Sequence, residues 1–147
     1  MSEEPRRPGV GVNHWGEEQL RLEILEESAE RVVGRLEAGP RHHQPYGIVH
    51  GGVYCSIVED VASRGAGKSV LERGGVGVVG VANSTDFLRS HGEGELRAVA
   101  EPIHQSRTQQ IWRVEISRTS DGKAVARGQV RFQILDRLPF ERGGGSA

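Results

Sequence analysis

Apolar and polar residues alternate along most of this chain, and the alternation is interrupted once by a long stretch of helical spacing. From Gln19, the run QLRLEILEES sets Leu20, Leu22 and Ile24 against charged partners, the period of a half-buried strand. A helical reading of that run is the rival. The Val-rich run ERVVGRLEAG that follows, closed by Gly39 and Pro40, favours two strands paired through a turn near Ser28 and Ala29. From Gly51 to about Leu71 the period changes. At about 100° per residue, Tyr54, Ile57, Val58, Val61, Ala62 and Gly65 share one face, which predicts a buried helix opened by Gly51-Gly52 and closed near Gly74-Gly75. Four strand-like runs follow, VGVVGVANSTDFLR, GELRAVAEPIHQ, TQQIWRVEISRTS and KAVARGQVRFQILD. Turn signals separate them at Ser90-His91-Gly92, at His104 to Arg107, and at Asp121-Gly122, the last being the best hairpin signal in the chain.

Two strands, one helix and four strands predict an α+β fold: a strongly curved antiparallel sheet of about six strands wrapped around one long central helix. That layout leaves the outer sheet face and one edge strand uncovered, and a second copy of the chain would cover either.

The 147 residues suit one domain with a real core. We expect a flexible tail at 1–13, a single domain over 14–138 and a second flexible tail at 139–147, because the charged, Pro- and Gly-rich start and the closing GGGSA carry too little apolar area to offset ordering. Nineteen Lys and Arg against 20 Asp and Glu leave a net charge of -1, so no electrostatic footprint for nucleic acid or an anionic membrane is expected. A lone cysteine, Cys55, excludes an intramolecular disulfide framework and a multi-cysteine zinc site within one chain. With no apolar run near the roughly 18 residues of a bilayer span and no secretory leader, a cytoplasmic location is expected. The 21 glycines, about twice the usual share, fit a turn-rich sheet protein.

The segment richest in chemistry is HHQPYGIVHGGVYCSIVEDVASRGAG, His42 to Gly67. His50, Gly51 and Gly52 stand at a helix start, where free backbone N–H groups and the positive dipole end stabilise an oxyanion. Periodicity separates the two carboxylates that follow. Asp60 turns to the polar side, whereas Glu59 falls beside Cys55 and Ala66 at the margin of the apolar face, where it is expected to be held partly out of water. Desolvation makes a carboxylate a stronger base. Ser63, one turn on, stacks over Glu59 and is placed to orient a carboxylate, water or substrate. Gly51 and Glu59 are roughly 12 Å apart along one helix, yet each needs to be within roughly 3 Å of one reacting carbonyl. A composite site built from two antiparallel copies of the helix removes the conflict.

The run QPYGIVHGGVYCSIVEDVAS, Gln44 to Ser63, resembles the signature of PaaI-like hot-dog-fold acyl-CoA thioesterases, particularly the branch acting on 4-hydroxybenzoyl-CoA and 1,4-dihydroxy-2-naphthoyl-CoA. Gln44 precedes His50 by six positions, Glu59 follows it by nine, and Ser63 follows Glu59 by four. Over roughly residues 14 to 136 the element order matches as well. The resemblance implies a hot-dog fold and hydrolysis of an aromatic or medium-sized acyl-CoA thioester to acid and CoA. It implies that Gly51 N–H polarises the carbonyl, with Gln44, His50 and Gly52 shaping that wall. Glu59 of a partner subunit would act as nucleophile or general base, with Ser63 positioning it. It also implies a homodimer with composite sites, paired into a homotetramer, and no cofactor or metal, coenzyme A being part of the substrate. IHQSRT resembles the family segment that contacts the CoA phosphates and pantetheine, so His104, Ser106 and Arg107 are carried over there. NSTDFLRS resembles the strand lining the acyl pocket, with Asp86 where a neutral residue is common.

Two rival functions share the fold or the pocket: an acyl-thioester dehydratase or hydratase, and a non-catalytic acyl-CoA sensor. Other motif matches fail on context. Gly75, Gly77 and Gly80 spell a dinucleotide fingerprint that runs into a strand instead of a helix. Adjacent His42 and His43 are poor geometry for a metal. Cys55 reads as a small buried core residue, and Trp112 and Phe132 as core.

Overall fold

The computed structural model describes residues 15–137, and the expected tails, 1–13 and 139–147, lie outside the described residues. A short helix α1 (Trp15–Gln19) leads into strands β1 (Glu23–Glu27) and β2 (Val32–Ala38). After a 3-10 turn at Pro40–His42 comes the long helix α2 (Gly51–Glu72), followed by β3 (Gly77–Phe87), β4 (Gly94–Gln105), β5 (Gln109–Arg118) and β6 (Ala124–Leu135). The six strands form one antiparallel sheet in the order β1-β2-β4-β5-β6-β3. Crossing over through α2 carries the chain from one side of the sheet to the other, so β3 becomes an edge strand beside β6. This is the curved sheet around a central helix that the patterning predicts, the hot-dog arrangement.

Period-2 alternation decides which side chains meet the helix. On β5, Gln110, Trp112, Val114 and Ile116 are fully buried, while Arg113 and Glu115 between them are exposed. On β6, Ala126, Val130 and Phe132 point inward, and Arg127 and Arg131 point out. The helix presents Tyr54, Ile57, Val58, Val61, Ala62, Gly65, Ala66 and Val70 to that face. Burying each large apolar side chain contributes about 1.5–3 kcal/mol. Close approach is obtained by matching large residues to glycines. A Cβ at Gly65 would stand 2.3 Å from the Trp112 ring, and one at Gly128 would stand 2.7 Å from Val58. Trp112 and Phe132 are core, as expected.

A polar chain runs through this packing. Trp112 Nε1 donates to Gln110 Oε1 (2.8 Å), Gln110 Nε2 donates to Ser69 Oγ (3.1 Å), and Gln105 Nε2 also reaches Ser69 Oγ (3.2 Å). With every member satisfied, the chain ties the end of α2 to β4 and β5.

The first predicted strand is corrected at its start. Residues 15–19 are helical, and Leu20 and Leu22 donate their N–H groups to the Gly16 carbonyl. Arg21 between them has φ +62°, so the two leucines reach the same core without an extended backbone. The turns behave as expected. Ser28 Oγ holds the β1–β2 turn through Arg31, and Gly122 (φ +73°) follows Asp121, whose carboxylate is gripped by Arg118 at 2.8 Å. The β4–β5 turn is tighter than predicted: His104 is still in β4, and only Ser106 to Thr108 lie between the strands.

One prediction separates packing from propensity. Gly65→Ala improves intrinsic helix propensity by about 1 kcal/mol, yet its methyl must enter the Trp112 ring, and overpacking of this kind costs about 1–3 kcal/mol. Net destabilisation is expected in urea unfolding, whereas the same change at half-buried Gly67, where a Cβ meets nothing, is expected to be neutral or stabilising.

Candidate active site

The loop between β2 and α2 is fastened by three histidines. His42 is 2% exposed, and its Nδ1 accepts from Gly39 N–H (3.2 Å), which leaves Nε2 to donate to the Leu20 carbonyl (2.7 Å). His43 Nε2 donates to the Gly92 carbonyl (2.7 Å), and His91 Nε2 to the Gly94 carbonyl (3.0 Å). Val49 N–H reaches the His91 carbonyl (2.9 Å), and His50 N–H the His42 carbonyl (2.8 Å). These bonds give His42 a structural role that sequence spacing did not reveal. No cluster of metal-ligating side chains occurs among the described residues.

His50 is the N-cap of α2: its Nδ1 accepts from Gly52 N–H at 2.8 Å, and its carbonyl accepts from Val53 N–H. The expectation of several free donors at this helix start is therefore corrected. Gly52 N–H is used by the cap, and Gly51 N–H is the first-turn donor for which no partner is found among the described residues. Beside it a cavity of about 260 Å³ opens between the loop, the first turn of α2 and the end of β3. The Phe87 ring lies on Gly51 so closely that a Cβ there would stand 2.4 Å from it. Gly51 is thus demanded by a neighbour within the chain, whether or not a ligand also approaches.

Gln44 lines the same cavity. Its Oε1 accepts from Tyr46 N–H, and its backbone closes a turn with Ile48 and with Gly47 (φ +77°), so the side-chain NH2 is the group left for the cavity. Arg89 also lines it, held by Nη1 on the Ala124 carbonyl (2.7 Å). Tyr54, one turn into α2, packs its ring against Phe87 with centroids 5.8 Å apart. Asp86 is exposed on β3 opposite Arg127 and is not among the cavity walls.

The carboxylates exchange places relative to expectation. Glu59 is exposed, with Oε1 against Gly80 of β3, and Asp60 is the more buried of the two. The physical reason lies on the two flanks of α2. Asp60 lies under α1, where Arg64 bonds it (3.1 Å) together with Glu17 (2.8 Å). Glu59 lies along β3, an edge strand beyond which no described residue of the chain pairs. Ser63 does not engage Glu59; its hydroxyl donates to the Asp60 carbonyl at 3.0 Å. Cys55 is half-buried instead of buried, and its carbonyl accepts from Asn83 of β3 (3.0 Å).

The remaining expected residues gather at the other end of α2, roughly 30 Å away along a helix of 22 residues. Ser106 and Arg107 line a second cavity of about 300 Å³ with Arg73 and Gly75. Ser106 Oγ shapes the turn, donating to the Gln109 carbonyl (3.0 Å). His104 is exposed on β4 and is not a wall of this cavity. Arg73, whose Nη1 donates to the Ser106 carbonyl (3.3 Å), was missed; the signal was a basic residue immediately before the helix-ending glycines.

Residues 46–125 match the family model of the thioesterase superfamily. The chain is 43% identical over 122 residues to Rv1847 of Mycobacterium tuberculosis, covering 82% of this chain and 86% of that one. The solved structure of that protein superposes with a TM-score of 0.79 at 41% identity, over 84% of this chain and 98% of the other. A 1,4-dihydroxy-2-naphthoyl-CoA hydrolase of Listeria monocytogenes is 35% identical over 101 residues, covering 69% and 80%. The proofreading thioesterase EntH of Cronobacter turicensis is 34% identical over 110 residues, covering 74% of each chain.

Capping and proton transfer by His50 are separable. Loss of the cap acceptor in His50→Ala is expected to cost about 1 kcal/mol, and His50→Asn, which keeps an acceptor, is expected to restore most of it in chemical denaturation. If hydrolytic activity follows the cap, Asn retains it and Ala does not; if His50 moves a proton, both variants lose it equally.

Proposed function

The chain belongs to the thioesterase superfamily and is a thioester hydrolase, and from that premise we propose how its residues divide the work and on what substrate. The observation that carries the reading is the unpartnered N–H of Gly51, at the positive end of a 22-residue helix, opening on a cavity of compact acyl size. The substrate is an acyl-CoA whose carbonyl oxygen takes that N–H. As the carbonyl becomes tetrahedral, the donor and the helix dipole stabilise the growing negative charge. By occupying Gly52 N–H, His50 holds the first turn so that Gly51 N–H stays aimed outward. The Gln44 NH2 orients the acyl end from the facing loop.

Glu59 supplies the nucleophile or the general base. As nucleophile it adds to the carbonyl carbon, CoA departs as thiolate, and water cleaves the resulting anhydride. As base it takes a proton from the water that attacks. Its distance along the helix from Gly51 assigns the two groups to different protomers of a dimer, with Ser63 near the carboxylate and two equivalent sites per pair. Exposed Val79 and Val81 on the uncovered edge of β3, next to Glu59, support pairing at that edge. Closing that edge would bring the exposed carboxylate into a covered site, and a tetramer would be two such dimers. Ser106 and Arg107, joined by Arg73, are the groups for the CoA phosphates, since a turn with two guanidinium groups suits them.

Two experiments test this reading. In a thiol-release assay over aromatic and aliphatic acyl-CoAs, Glu59→Ala is expected to lower kcat by at least about 100-fold with substrate binding retained; a variant with wild-type kcat removes Glu59 from the chemistry. Co-refolding Glu59→Ala with Gly51→Val then asks whether sites are composite. A mixed dimer has one intact site in that case, and about a quarter of wild-type activity is expected from the statistical mixture. Sites contained within one chain give no rescue.

A further inference from the structure

Tyr54 carries the one buried side-chain polar atom that finds no hydrogen-bond partner among the described residues. Such an atom is uncommon, because leaving a hydroxyl buried and unpaired is unfavourable compared with a phenylalanine of the same shape. Tyr54 is 3% exposed, its ring is fixed against Phe87, and it lines the cavity beside Gly51. Side chains on a helix lean toward its N-terminus, which tilts this ring toward the unpartnered Gly51 N–H. Burial pushes the Tyr54 hydroxyl up to about 12, so it remains an O–H donor throughout the working range.

Two of the other polar side chains of the cavity have the same sense, and the third, Ser90, carries a hydroxyl that can donate or accept. Gln44 has its Oε1 spent on Tyr46 N–H and keeps its NH2 group, and Arg89 uses Nη1 on a backbone carbonyl and keeps further N–H groups. Among the described residues no carboxylate lines the cavity. The apolar walls are Ile48, Val49, Phe87 and Leu88. At about 260 Å³ the part of the pocket formed by one chain has room for a single ring or a short chain.

We propose that Tyr54 is a specificity-determining residue: its Oη donates a hydrogen bond to an oxygen acceptor carried by the acyl group, away from the thioester itself. This rests on the reading of the Gly51 cavity as the acyl site. A pocket that keeps a buried donor for its ligand discriminates strongly, because an acyl group lacking the oxygen leaves that donor unpaired. Selectivity for the oxygenated ester is the return on a hydroxyl that does nothing for the fold.

The test is Tyr54→Phe, which keeps the ring against Phe87 and removes one oxygen. Thiol release is measured on benzoyl-CoA and on its 2-, 3- and 4-hydroxy derivatives, with Tm as a control on folding. Wild type is expected to favour at least one hydroxy ester over benzoyl-CoA by about tenfold or more in kcat/KM. The variant is expected to lose about tenfold of that ratio, to keep benzoyl-CoA turnover within about threefold, and to show an equal or higher Tm. A ratio unchanged in the variant overturns the proposal, as does a wild type with no preference. Equal loss on all four esters also overturns it, placing the hydroxyl on the thioester or in the fold. If wild type releases no thiol from any ester, the hydrolysis mechanism fails separately. The same ratios, read as Kd by calorimetry with the four esters, then decide the role of Tyr54 by the same criteria.

Discussion

The close seating of α2 against the sheet is the contact on which everything else depends. Glycine at 65 admits the Trp112 ring, and glycine at 128 admits Val58, so the helix axis is fixed at two points by shape. Interiors are packed too densely for such contacts to slide. With the axis fixed, Gly51 must meet the end of β3 and Glu59 must run along its middle. The polar chain through Ser69 and Gln110 secures the far end of the same helix. The contacts at Gly65 and Gly128 that fix the helix axis are separate from Gly51 and Glu59, while His50 caps the first turn beside the cavity.

Sequence patterning located the elements well where one face is buried and one is wet. The run GELRAVAEPIHQ coincides with β4, and the helix begins at the predicted Gly51, because alternation and glycine punctuation are local signals. The misreadings share a cause, which is that a helical wheel shows margins without showing what covers them. Glu59 and Asp60 are both marginal, and only the presence of α1 over one flank and an open edge at the other decides which is shielded. The residues Leu20 and Leu22 alternate as a strand would, yet one left-handed residue, Arg21, delivers both to the core from a coil. Within the candidate site, Ser63 does not engage Glu59 as its spacing suggested, while the spacing that brings Gln44 and Gly51 to one cavity was legible. The hydroxyl of Tyr54 was not, because whether a buried atom is paired depends on residues brought from distant parts of the chain.

β3 is the strand in which these two levels meet. It has exposed residues along nearly its whole length, a bulge between Gly80 and Ala82, and Asn83 and Thr85 joined by a hydrogen bond of 2.8 Å. Asn83 also reaches the Cys55 carbonyl, so the edge is anchored to the helix at its centre even though no strand among the described residues pairs with its outer side. An edge strand that is anchored but uncovered is a rigid template for another strand, and it is well suited to carry a site shared between copies.

The contact of Phe87 with Gly51 sets the shape of the cavity at its rim. Phe87 is 55% exposed and belongs to the strand end, so its replacement disturbs little of the core. It nevertheless forms one wall of the cavity and touches Gly51, the donor we propose for the reacting carbonyl. Substitution at this one position can therefore widen or narrow the proposed acyl pocket, leaving the helix and its cap unchanged. A side chain at Gly51 would require that ring to move, since its Cβ would stand 2.4 Å from it. The arrangement sets an exposed ring directly against a glycine, so the shape of the cavity can change at its rim while the backbone beneath it stays in place.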